Sequence, residues 1–116
     1  MNYFKFKKKL RKAWCKETAY HKDAPNWSLE NPALGQCAIS SLLFNEYFGG
    51  EIFSGVSENG IWHYWNKKYI IIDLTKNQFK EKLKFKNIRK WNRDELLKTG
   101  DVLERYTLLK NRFLSL

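Results

Sequence analysis

Apolar residues recur at helical spacing at the start of the chain. Tyr3, Phe6, Leu10, Ala13 and Trp14, with Lys and Arg between them, predict an amphipathic helix from about Tyr3 to Thr18, with Cys15 beside the stripe. The stretch from Ala19 to Leu34 is polar and irregular, and Pro25 and Pro32 break it. From Gln36 to Phe48 the pattern changes: Cys37, Ala38, Ile39, Leu42, Leu43, Phe44, Tyr47 and Phe48 leave no wide polar face, and Ser40 and Ser41 are small enough to be buried. A helix that is apolar almost all round is a buried helix. Gly49-Gly50 supplies its stop signal. Three strands follow, Glu51 to Val56, Ile61 to Trp65 and Tyr69 to Leu74, with a turn at Ser57 to Gly60 and a tight loop at Asn66-Lys67-Lys68. The rest is expected to be helical. Asn92 with Glu95, and Asp101 with Glu104, have capping-box spacing around Gly100, and Val102, Leu103, Tyr106, Leu109 and Phe113 form a stripe. This order predicts an α+β fold, not alternating parallel units: a buried Cys-bearing helix packed on a small antiparallel sheet, with flanking N- and C-terminal helices.

The chain has 116 residues, 43% hydrophobic and 16% aromatic, which suits one domain, residues 1–116, with a real core. No apolar run is long enough to span a bilayer. The Lys-rich start, Met1 to Lys12, has no apolar segment behind it of the kind a signal peptide carries, so a cytoplasmic protein with no membrane partner is expected. Two thiols, Cys15 and Cys37, are then expected to be reduced. Two Cys and two His without ligand spacing predict no metal site, and nothing in the chain calls for another cofactor. The formal charge of +10 is concentrated at Lys5 to Lys12 and Lys80 to Arg93. It fits either a solvated surface or a weak polyanion contact.

The candidate chemistry lies at Cys37, His63 and Asp73. A helix starting at Gln36 places Cys37 in its first turn, where a thiolate faces the positive end of the dipole and free N–H groups that also suit an oxyanion. A start with Asn31 as N-cap and Pro32 at the first position places Cys37 one turn later. A thiol nucleophile needs a neighbouring base, and the base needs an orienting acceptor. With a three-residue loop at 66 to 68, His63 faces Ile71 and shares a sheet face with Asp73. A two-residue loop puts them on opposite faces. Asp73 interrupts an apolar strand and so must be paired or lie at the strand end. The structural alternative is a core Cys, a packed His and a turn-capping Asp.

The segments Trp27 to Ala38, Tyr47 to Ile52, His63 to Asn66, Ile72 to Phe79 and Arg105 to Leu109 resemble a YunG-like family of small bacterial proteins with no assigned activity, over roughly residues 25–112. More distantly the chain resembles the papain-like superfamily, including NlpC/P60 peptidases and transglutaminase-like proteins. That resemblance implies a papain-like fold with Cys37 as nucleophile, His63 as base and Asp73 as orienter. Only 26 positions separate Cys37 from His63, so the intervening sheet is minimal. Gln36 and Asn66 are candidate oxyanion donors. Trp27, Tyr64 and Trp65 are candidate pocket walls, with the core the weightier reading for large aromatics. The leading expectation is a thiol-dependent hydrolase or acyltransferase acting on a substrate with an amide, ester or isopeptide carbonyl. The alternative is a non-catalytic module of the same fold whose basic face meets an acidic protein or nucleic acid.

Overall fold

A computed structural model describes residues 1–116. Helix α1, Tyr3–Ala13, begins at Asn2, whose side chain accepts from the Lys5 N–H at 2.8 Å, and it buries Phe6, Leu10 and Ala13. It stops five residues short of the expected end. Trp14 turns extended so that its indole N–H can donate to Ser40 Oγ at 2.8 Å, and a short 3₁₀ turn, Lys16–Thr18, replaces the last helical turn. Helix α2, Cys37–Phe48, has Gln36 as its N-cap residue, so the later of the two expected starts is the one adopted. It is buried from Ala38 to Phe44, both serines included.

The sheet has four antiparallel strands: β1 (Glu51–Ser57), β2 (Trp62–Lys68), β3 (Ile70–Ile72) and β4 (Phe85–Trp91), in the spatial order β3-β2-β1-β4. Two sequence expectations are corrected. There is no loop at Asn66 to Lys68; β2 continues through Lys68 and the chain reverses at Tyr69, a non-glycine residue at φ 67°. The fourth strand lies in the basic stretch that was expected to lead only into helices. β4 is an edge strand, and its charged, exposed residues mask the alternation that would mark a half-buried strand. A bulge separates its two pairings with β1: Ser54 faces Arg89, but Val56 faces Lys86. Between them, a Cβ on Gly55 would come within 2.7 Å of the Phe85 Cβ, so this crossing needs a glycine.

Ile52, Ser54, Tyr64, Asn66 and Ile72 share one face of the sheet by register. Ile52 joins the core of Phe6, Leu10, Ile39, Leu42, Leu43, Phe44, Leu96, Leu109 and Phe113. Helices α3 (Arg93–Leu97) and α4 (Val102–Leu114) close that core. Asn92 caps α3 through the Asp94 N–H at 2.8 Å, while Glu95 pairs with Arg89 instead of reaching back. Asp101 caps nothing; its carboxylate takes Arg105 Nε at 2.9 Å. The expected α4 stripe holds except at Leu103, which faces outward. No helix is long and apolar enough to cross a membrane.

Candidate functional site

Cys37 is the first residue of α2, and the turn before it is fixed from three directions. Gly35 sits at φ +73°, where a Cβ would lie 2.8 Å from the Tyr20 nitrogen. Its carbonyl accepts from Tyr20 N–H at 2.9 Å and from Arg105 Nη1 at 3.4 Å. Its own N–H donates to Gln78 Oε1 at 3.2 Å. Gln36 is fully buried, but its side chain does not cap the helix. Its Nε2 donates to the Cys15 carbonyl at 3.0 Å and its Oε1 accepts from Thr18 Oγ1 at 2.8 Å. The N–H groups of Cys37, Ala38 and Ile39 consequently find no acceptor within the chain. The positive end of α2 is uncapped beside the thiol.

His63 lies opposite Gly55 on β2 and is completely buried. Because β3 pairs only with Asn66 to Lys68, the segment after β3 folds over this part of β2 instead. Phe85 stacks on the imidazole with centroids 5.1 Å apart; Phe79 lies at 5.0 Å and Trp65 at 5.9 Å. Asp73, one residue past β3, meets His63 Nε2 with Oδ2 at 2.7 Å. The β2–β3 register, Asn66 opposite Ile72, differs from the expected one by an even step, which keeps both side chains on one face. Burial pushes the imidazole pKa down. The Asp73 hydrogen bond and the nearby Cys37 sulfur outweigh it, raising the pKa from 6.5 to about 9. His63 is therefore an imidazolium at neutral pH, with Cys37 and Asp73 as its ionisable neighbours.

The remaining candidates divide. Trp65 packs on the His63 ring. Tyr64 points to the opposite face, toward Trp91 with centroids 5.8 Å apart, and burial, first among several causes, pushes its pKa up to about 12. Asn66 is buried on Tyr64's side of the strand, where Nδ2 donates to the Ser41 carbonyl at 3.0 Å and Oδ1 has no partner. Trp27 holds the Pro32 carbonyl at 2.9 Å in the loop before α2. Sequence reasoning missed Gln78, Thr75, Phe79 and Phe85. Gln78 Nε2 lies 3.4 Å from His63 Nδ1 and donates to Thr75 Oγ1 at 3.0 Å. One signal was present: Thr75, Gln78 and Phe79 directly follow Asp73 in the stretch that carries the family resemblance.

A family model described as "YunG protein" matches residues 2–116. "Uncharacterized protein YunG" of Bacillus subtilis (strain 168) is 28% identical over 106 residues, covering 90% of this chain and 84% of that protein. No solved structure matches the chain.

Proposed function

We propose that this chain, which belongs to the YunG family, carries out thiol-dependent acyl chemistry, hydrolysis or transfer at an amide, ester or isopeptide carbonyl. The observation that carries the reading is the short His63–Asp73 contact, 2.7 Å, on an imidazole that also adjoins the Cys37 thiol at the uncapped start of α2. In this reading the thiol proton already rests on His63, and the Cys37 thiolate sulfur bonds to the carbonyl carbon. The carbonyl π pair moves to oxygen, and the unpartnered N–H groups of Cys37 and Ala38 meet the resulting oxyanion. Collapse breaks the bond to the leaving group, which receives the proton from His63 and leaves a thioester. Water or an acceptor nucleophile then gives its proton to His63, attacks the thioester and releases the acyl group from sulfur. Asp73 keeps the ring oriented. Gln36 and Asn66 are assigned no part in the oxyanion site, since their amides donate to the carbonyls of Cys15 and Ser41. A thiol at the start of a buried helix, followed by His on an antiparallel strand and Asp just past the next one, also supports a papain-like reading of the fold.

The test is alkylation of Cys37 by iodoacetamide across pH, with Cys15 as internal control. At pH 6.5 the Cys37 rate is expected to exceed the Cys15 rate by about tenfold or more and to fall toward it in His63→Ala. Equal rates for the two thiols, or indifference to His63, would leave the trio structural.

A second reading has its own support. Helix α1 carries six cations between Lys5 and Lys12 and no acid, and none of the six is in an ion pair. That face suits an acidic protein or a nucleic acid.

A further inference from the structure

We infer that Gln78 is a positioning residue for the thiol site: its side-chain amide selects the His63 tautomer in which Nδ1 accepts and Nε2 carries the hydrogen toward Asp73. The inference rests on the reading above and names the group that prepares its base.

The orientation of the Gln78 amide is fixed by a partner that cannot turn round. The Gly35 N–H is a main-chain donor, held by the Tyr20 and Arg105 contacts to the same residue, and it points at Oε1 from 3.2 Å. Exchanging the amide oxygen and nitrogen would set two donors against each other there. With Oε1 committed to Gly35, the Nε2 hydrogens face Thr75 Oγ1 at 3.0 Å and His63 Nδ1 at 3.4 Å. Gln78 is itself held, because its main-chain carbonyl accepts from Asn31 Nδ2 at 3.2 Å and its side chain is buried. A donor aimed at Nδ1 is compatible only with a lone pair on that nitrogen. Asp73 Oδ2 asks for a hydrogen on Nε2. The two sides of the ring therefore demand the same neutral tautomer, the one able to receive a proton on Nδ1.

The two partners differ in their effect on the charged ring. Asp73 stabilises the imidazolium, whereas the Gln78 N–H faces the extra hydrogen on Nδ1 and opposes it. Gln78 thus limits how firmly His63 holds the proton it must later give to the leaving group. The groups facing the ring are Asp73 from the end of β3, Cys37 from α2, and the uncharged Gln78 of the turn between β3 and β4, which is itself bonded to Thr75. Trp65, Phe79 and Phe85 complete its surroundings without charge.

Imidazole nitrogen and carbon-proton NMR of the intact protein tests this, with wild type compared with Gln78→Glu and Gln78→Leu. Above its titration, wild-type His63 is expected wholly as the Nε2–H tautomer. Gln78→Glu keeps an acceptor for Gly35 and puts an oxygen at Nδ1, so His63 should titrate at least about one pH unit higher, a tenfold change in proton affinity. Gln78→Leu should release the tautomer preference on the Nδ1 side; if it does not fold, Gln78→Glu decides alone. A folded Gln78→Glu protein whose His63 titrates as in wild type would overturn the assignment. The two readings fail separately. An unreactive Cys37 with a shifted His63 titration sinks only the thiol chemistry, while a reactive, His63-dependent Cys37 with an unshifted titration sinks only the role of Gln78.

Discussion

His63 joins burial to chemistry at a single residue. It has no exposed surface, yet it is cationic at neutral pH because Asp73 and Cys37 outweigh its desolvation. Its pKa is about 9 in the folded chain and near 6.5 in the unfolded one. A raised folded value gives stability that is fully present below the unfolded pKa and is lost as pH rises through the folded one. The window is therefore pH 6.5 to 9, and the loss is on the order of 3 kcal/mol across it. Urea unfolding at pH 6 and pH 9.5 should show that decline in wild type and a clearly smaller one in Asp73→Asn. A decline of equal size in both would assign the pH dependence to other groups. Cys37, His63 and Asp73 could be picked from the sequence because each breaks its local pattern: a thiol at a helix start, an imidazole among aromatics, a carboxylate ending an apolar strand. Gln78 breaks no pattern, and its value comes from a Gly35 N–H that is 43 positions away in the chain.

The helices and the first three strands were legible because periodicity and glycine punctuation agree there. The turn at Tyr69 was not, since an exposed tyrosine in the left-handed region gives no local signal of a reversal. β4 was hidden by its charge, although Phe85 and Trp91 at its ends anchor it, the latter donating to Ser54 Oγ at 2.7 Å. The element-scale prediction concerns the β1–β4 crossing. Gly55→Ala puts a methyl against Phe85, Ile88 and Trp65 at 3.0 Å or less and must push β4 outward. Phe85 also stacks on His63, so the effect should reach the site. The expected outcome is a loss of about 1–3 kcal/mol in chemical unfolding, together with a shifted His63 ring signal. Unchanged stability would mean that the bulge absorbs the methyl.

Across the whole molecule, the cations fall into an unpaired set and a paired one. The α1 cations are unpaired, whereas Arg89, Lys90, Arg93, Arg105 and Lys110 each meet a carboxylate. If the basic face has a polyanionic partner, retention on immobilised heparin should fall steeply with salt, and Lys8→Glu with Lys12→Glu should shift elution strongly. Cys37→Ser should leave it unchanged. Elution at the same low salt for wild type and the double variant would return those lysines to the role of a solvated surface. The α+β class was readable from element order alone. The joining of distant segments at Gly35 was not, because it depends on Tyr20, Gln78 and Arg105 meeting one peptide group.

That meeting point has a consequence for the protein's synthesis. Arg105, which also holds the Thr18 carbonyl at 3.1 Å, is the last of these residues to leave the ribosome. Cys37 emerges long before it. A growing chain thus carries its thiol before the clamp that seats it has been made, and the candidate site is completed only when α4 docks.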